Sequence, residues 1–434
     1  MKQLTRLFIP ICLETLFYML SGMVDTLMLS AVGDYAVGAV GTANSYIGIF
    51  IIMFSIISSG MVSVMTQNIG AGRPGVAYQA RQLGLLFNAV AGVLMAVFLF
   101  SGAGAILRMV GIADALYEPA LIYLKIVGGG CILNAVIPIF SSYLRAFGYT
   151  KQPLYATIVG NIANFVMNAV FLFVLHKGVA GVATATVISK ILNLCIVLYF
   201  SHKLISAKNS TERIANKTVL GQIVKVGLPS ACETALYNVA MMLVIRFLNQ
   251  MDAEGLNVTA RSYTATISNF SYCVGAALAQ ANAIMTGWHI GAGELEECDR
   301  GTKRAAFVGV CVAVCMETAI VLGSGFIMPL FTDTPEMTAL VRKLLAIDIV
   351  LEIGRVTNLV FGQALKTSGD AVFPAVIAAV FMFVFAVGGT WLFGISMGLM
   401  AVGAYIGLAS DECVRAVGMV WRWKTGKWRT KKLV

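Results

Sequence analysis

Apolar windows long enough to cross a bilayer recur twelve times along the chain. They fall at about 6–31, 36–68, 82–105, 117–145, 153–175 and 178–202, then at about 223–248, 255–288, 304–331, 337–366, 372–394 and 397–421. Lipid offers the backbone no partner for its amides, so each window predicts a helix. The fold class expected is an all-α polytopic membrane protein with twelve transmembrane helices. One long polar segment, 203–222 (KLISAKNSTERIANKTVLGQ), divides the windows six and six. The first window carries two acids, and the spacing of Glu14, Tyr18, Ser21 and Asp25 places all four on one helical stripe. A carboxylate facing hydrocarbon costs at least a few kcal/mol, so such a stripe is expected to face protein or water.

The pattern then repeats. Pro10, Glu14, Thr15 and Tyr18 return as Pro229, Glu233, Thr234 and Tyr237. Met65-Thr66 and Gly70-Ala71-Gly72 return as Met285-Thr286 and Gly291-Ala292-Gly293. Leu144-Arg145, Gly148 and Pro153 return as Leu365-Lys366, Gly369 and Pro374, so the offset stays between 219 and 221. Each half has an even number of spans, which gives both halves the same orientation. Two six-helix lobes related by a pseudo-twofold axis along the membrane normal are expected, around a central cleft that opens alternately to either side. The domain division is 1–202, a cytoplasmic linker 203–222, and 223–434 ending in a basic cytoplasmic tail.

Composition agrees with this picture: 12% of residues are charged, against about 25% in soluble domains. The first window is too long for a cleavable signal peptide and contains Glu14 and Asp25. The net charge of +10 is unevenly placed. Of the 31 lysines and arginines, 21 fall on the side of the termini, five on the other side and five within spans. The positive-inside rule therefore puts both termini in the cytoplasm, and the charge is a topology signal with some attraction for lipid headgroups, not a nucleic-acid footprint. The nine cysteines form no CxxC or metal-type spacing and the three histidines are scattered. No zinc motif is present, which argues against an enzyme, and no Walker-type GxxxxGK[ST] is present, which argues against ATP. No cofactor is expected, and a gradient of Na+ or H+ is the natural energy source.

The intramembrane charges are the candidate chemistry. Asp25 faces Val244 in the repeat and so has no counterpart, whereas Glu14 and Glu233 are counterparts of each other. For all three, an ion or proton site stands beside a structural role, such as holding a helix bent at its proline. Asn161, Asn164 and Asn168 share a face of the fifth span and offer oxygen ligands beside Asp25 or interhelical hydrogen bonds. Asp348, Glu352 and Arg355 form a stripe on the tenth span that suits either ion binding or an internal salt bridge. Glu317 is a further acid within a span, and Asp411, Glu412 and Arg415 read as structural. Arg261, aligned with Asn44, either neutralises an acid or receives an anionic substrate group. Tyr18, Asn44, Tyr237, Arg261 and Arg355 are the candidate lining of the substrate cleft.

At these residues the chain resembles the multidrug and toxic compound extrusion (MATE) family. MVDTLMLSAVGDYAVGAVG at Met23 to Gly41 is similar to that family's first-span signature. GLPSACE at Gly227 to Glu233, GRVTNLVFGQALKTSGDAVFP at Gly354 to Pro374 and DECVRAVGMVWRWKTGKW at Asp411 to Trp428 resemble a bacterial NorM-like branch. The resemblance implies a secondary antiporter of the prokaryotic inner membrane, monomeric, that exports lipophilic, often cationic, compounds in exchange for Na+ or H+. It implies Asp25 as the coupling acid of the first lobe and Na+ at Asp25 or Glu233, and it sets Glu233 and Asp348 beside the acids of related pumps. A lipid-linked precursor flippase of the wider superfamily is the alternative, and a major-facilitator carrier is disfavoured because QNIGAGRPGVAYQAR lacks that family's Gly-x-x-x-Asp-Arg pattern.

Overall fold

Backbone amides without water must be satisfied inside their own segment, and the apolar windows accordingly become helices. A computed structural model describes residues 2–109, 112–206, 212–252 and 255–434, and its regular structure among these residues is entirely helical. The α-helices are α1 (Lys2–Ser30), α2 (Asp34–Gly70), α3 (Pro74–Met109), α4 (Asp114–Gly129), α5 (Cys131–Ala146), α6 (Lys151–Ala169) and α7 (Gly178–Leu204). They continue as α8 (Asn216–Met251), α9 (Leu256–Ala292), α10 (Leu295–Ile327), α11 (Pro335–Ser368), α12 (Val372–Phe381) and α13 (Met400–Lys424). Helices α4 and α5 are halves of one span bent by 42°. Thirteen helices thus make twelve membrane-scale elements.

Eight of the elements are apolar enough to cross a membrane outright, and the α4–α5 pair makes a ninth. The other three are α9, α11 and α13. They are 37, 34 and 25 residues long, so length is not what they lack. They carry Arg261, then Asp348, Glu352 and Arg355, then Asp411, Glu412 and Arg415.

Several spans depart from the plain helices expected. The fourth span breaks at Gly130, whose counterpart in the continuous α11 is Leu351. Helix α6 ends in a π-helical turn at Val170–Val174, and α12 runs into two more, Met382–Val387 and Thr390–Ser396. Around the latter the backbones nearly touch: a Cβ on Gly389 would lie 2.9 Å from the Gly407 Cα, and one on Gly403 would lie 2.4 Å from the Phe393 carbonyl carbon. Small residues at a crossing permit this approach. The linker 203–222 is not loop throughout, because α8 begins at Asn216; its residues 207–211 lie outside the described residues.

The chain divides into two compact units, Ile9–Gly227 on one hand and Met1–Phe8 with Leu228–Val434 on the other. Inside the first, α2 crosses the opening turns of α8 so closely that a Cβ on Gly227 would lie 1.7 Å from the Ile56 carbonyl oxygen. The second unit packs a core of Val244, Leu248, Ala260, Val341, Leu344 and Ala404 from α8, α9, α11 and α13. Its basic C-terminal residues are docked. Trp428 stacks on Trp423 with centroids 4.2 Å apart, and Arg422 holds Asp370 at 2.7 Å.

The repeat is visible in detail. Gly72 and Gly293 close α2 and α9 with φ of 75° and 78°, and Gly148 and Gly369 follow α5 and α11 with φ of 84° and 98°. These are left-handed positions that a side chain would strain. The paired glycines of the sequence repeat therefore mark equivalent helix stops.

Candidate functional site

In the first unit, α1 and α6 meet through Asp25. The Asn168 amide donates to Asp25 Oδ1 at 2.8 Å and to Asn164 Oδ1 at 3.1 Å. Asn168 is fully buried, and among the described residues its own Oδ1 has no hydrogen-bond partner. Lys190 of α7 donates to Asn134 Oδ1 at 2.8 Å and is near enough for its charge to act on Asp25. Asn161 is turned elsewhere, donating to the Phe17 carbonyl at 2.9 Å. Tyr18 is 74% exposed, and Asn44 is exposed and paired with the buried Tyr123.

Glu14 is not part of that site. Its carboxylate accepts from Arg145 of α5 at 2.6 Å. The second unit contains the same device one repeat later, with Lys366 Nζ 2.7 Å from Glu233 Oε2. Because Arg145 and Lys366 are themselves counterparts, the duplicated Pro-x-x-x-Glu motif and the duplicated cation form one ion pair per lobe. The expected single stripe from Glu14 to Asp25 is thus divided between two partners. Arg145 and Lys366, counted as flanking charges, lie partly buried in these pairs, and Arg81 is buried among Tyr78, Phe140 and Tyr143.

The densest chemistry lies in the second unit. Oxygens of Glu317 on α10 and of Asp348 and Glu352 on α11 all fall within 4.8 Å of one another, and all three residues are buried. Among the described residues neither Glu317 oxygen has a hydrogen-bond partner, nor has Asp348 Oδ2 or Glu352 Oε2. Arg355 bonds Glu352 and lies 3.7 Å from Glu412. Arg415 grips Asp411 through two bonds of 3.0 and 2.6 Å and reaches Glu412 at 2.9 Å. Asn358 donates to Glu412 at 3.0 Å. Five buried carboxyls therefore share two guanidiniums. The stripe on the tenth span and the Asp411–Arg415 group, apart in sequence, are one network.

Beside this network is a cavity of about 470 Å³ lined by α8, α9, α11 and α13. Glu233, Tyr237, Arg261, Asp348, Arg355 and Lys366 are among its walls, together with Asp411, Glu412 and Arg415. Sequence reasoning gave Glu317 no role. Its signal was available in principle, since an acid in the middle of an apolar span needs a partner, but nothing linear ties α10 to α11.

The MatE family profile matches residues 10–170 and 229–392, one block in each half. The chain belongs to the MatE family. This MatE protein is 32% identical to the "Uncharacterized transporter YisQ" of Bacillus subtilis, over 97% of this chain and 94% of that one. It is 20% identical to the "Probable multidrug resistance protein NorM" of Thermotoga maritima, over 100% of this chain and 94% of the other. Its fold is that of a solved outward-facing multidrug resistance MATE family transporter of the MOP superfamily, with TM-score 0.85, 21% identity and coverage of 98% and 96%. A MATE crystal structure in a bent conformation is similar at TM-score 0.85 and 20% identity, over 99% and 96%. The architecture is accordingly two lobes with twelve membrane helices, and the protein is an integral membrane transporter, not an enzyme.

Proposed function

We propose that this transporter is a secondary antiporter that exports lipophilic organic compounds in exchange for Na+ or H+, from a prokaryotic inner membrane with both termini in the cytoplasm. The observation that carries the reading is charge balance in the second unit. Glu317, Asp348, Glu352, Asp411 and Glu412 are all at most 7% exposed, while among the described residues Arg355 and Arg415 are the only cations paired with them. Burying an unpaired carboxylate costs several kcal/mol, so three excess negative charges cannot persist there. The site must carry protons or a cation, and losing them when access changes couples the gradient to transport. Asp25 is the second acid of this kind. There Lys190 already supplies one positive charge for one negative, so the balance supports the Glu317–Asp348–Glu352 cluster as the principal site. Glu233 and Glu14 are assigned to scaffold pairing, since each has a cation on it.

The test measures cation release from purified protein. Addition of an exported dye such as ethidium should release bound 22Na+ or protons from the wild type and release less from Glu317→Gln. Equal release from that variant would remove the cluster from the coupling role. Dye-independent flipping of a lipid-linked precursor would favour the flippase alternative instead.

A further inference from the structure

Arg81, in the second turn of α3, is only 6% exposed. Among the described residues it enters no ion pair, and its Nε has no hydrogen-bond partner. Three rings surround it instead, with centres 4.4 Å (Tyr78), 5.1 Å (Tyr143) and 5.5 Å (Phe140) from its guanidinium carbon. Ring faces attract a cation but carry no net charge, so the positive charge stays uncompensated. Its polar neighbours are donors as well. The Tyr143 hydroxyl has no hydrogen-bond partner among the described residues and lies within electrostatic range of both Arg81 and Tyr78. The Tyr78 hydroxyl accepts from Gln82 at 3.3 Å, which leaves its own proton to donate. A buried guanidinium and two phenolic O–H groups thus gather with no acid paired to them.

The duplication separates this cluster from the shared scaffold. At the offset of 221, Phe140 returns as Phe361, but Tyr78, Arg81 and Tyr143 return as Asp299, Thr302 and Ala364. The second unit fills the place of Arg81 with a buried threonine that bonds Asn282 and Thr286. The repeat therefore does without an arginine here, and the first unit keeps one despite the cost of burying an unpaired charge. The cluster also borders an apolar surface. Tyr78 begins a stripe of α3 that continues at helical spacing through Gln82, Leu86, Val90, Val93 and Val97, all five exposed on a membrane-spanning helix. From Gln82 to Val97 this face runs ~22 Å, long enough to lie along an acyl chain.

We infer that the N-terminal end of α3 binds an anionic membrane phospholipid. Its phosphate accepts from Arg81 and from the Tyr78 and Tyr143 hydroxyls, and its acyl chains lie along the exposed face of α3. The phosphate brings the negative charge that the cluster lacks, and the fork of an arginine matches two phosphate oxygens. A choline headgroup carries its own cation beside the phosphate, so a lipid with net negative charge is preferred. The inference goes beyond the antiport reading and uses none of its acids, so either can fail without the other.

Native mass spectrometry of the full chain, delipidated in detergent, tests this by titration with phosphatidylglycerol and with phosphatidylcholine of the same acyl chains. The wild type should bind its first phosphatidylglycerol about tenfold or more tightly than phosphatidylcholine, the worth of one charge-assisted hydrogen bond. Arg81→Gln should erase that preference and Tyr143→Phe should reduce it. Arg300→Gln, which alters an exposed arginine of the second unit, should leave it unchanged. Equal affinity for the two lipids in the wild type overturns the inference, as does a preference that survives Arg81→Gln. Inorganic phosphate that displaces phosphatidylglycerol at equal concentration overturns the assignment to lipid. Melting supplies the second readout: without lipid, Arg81→Gln should melt no lower than the wild type, and phosphatidylglycerol should raise the melting temperature of the wild type alone. If Arg81→Gln melts lower and binds neither lipid, Tyr143→Phe decides, since it deletes one hydroxyl, and an undiminished preference there overturns the inference.

Discussion

The ion pair repeated in each lobe gives a prediction whose magnitude follows from geometry. Glu14 and Arg145 lie 2.6 Å apart with side chains 12% and 17% exposed, and Glu233 and Lys366 lie 2.7 Å apart at 21% and 13%. At an effective dielectric near 20, two unit charges at this distance attract by ~6 kcal/mol, most of which is offset by the cost of leaving water. Removing one partner takes this compensation from the other's charge, a loss of about 3–5 kcal/mol in a full interior and less where some solvent or another contact remains. Glu14→Gln and Arg145→Gln should therefore each destabilise by about 2–3 kcal/mol, whereas the double variant should cost no more than either alone. The resulting coupling energy is about 2 kcal/mol, within the range for directly paired residues. Reversible unfolding in mixed micelles by steric trapping reads these values. The same cycle on Glu233 and Lys366 should agree to within about 0.5 kcal/mol, the usual limit of additivity. Additive single effects in either lobe would refute the pairing as the purpose of the repeated motif.

Other outcomes follow from single contacts. Gly227→Ala places a Cβ 1.7 Å from the Ile56 carbonyl oxygen, so it should cost more than the about 1–3 kcal/mol of ordinary overpacking. Gly41→Ala, with nothing within 4 Å, should be neutral or stabilising in the same unfolding measurement. Asn168→Ala removes the donor to Asp25 and should lower stability by about 1.5–3 kcal/mol if Asp25 is ionised, and by less if it is protonated, so a pH series of that variant reports the state of Asp25. In the loop before α9, burial opposes ionisation of Asp252, yet hydrogen bonds from Asn257 and from the Leu256 amide hold its carboxyl below the usual range. A depressed carboxylate contributes stability above the unfolded value near 4 and loses it as pH falls through the folded value. Hydrogen exchange at Leu256 and Asn257 should therefore quicken on acidification below about pH 4 in the wild type, and Asp252→Asn should show no such step.

Much of the architecture was legible because lipid imposes a simple rule. Length and apolarity predict spans, and the duplicated Pro-x-x-x-Glu and glycine motifs predict two like halves. The break at Gly130 and the π-helical turns near Gly388 and Gly389 were not legible, since they answer to close neighbours that a window average ignores. The site was harder. Glu14 and Asp25 share a stripe in sequence, yet they diverge because α5 offers Arg145 to one and α6 offers Asn168 to the other. The repeat had already aligned Glu14 with Glu233 and Arg145 with Lys366, so the two ion pairs could have been read from the duplication itself. Glu317 had no such clue. It joins Asp348 and Glu352 only through packing of α10 on α11, a long-range contact that no spacing encodes.

The most direct test of antiport is transport in proteoliposomes under separately imposed Na+ and pH gradients. A substrate preloaded in the lumen should be moved against its concentration by one of the two gradients, and Glu317→Gln or Asp348→Asn should cut that uphill movement at least tenfold. Uphill movement that needs neither gradient, or that survives both substitutions together with Asp25→Asn, would contradict the account.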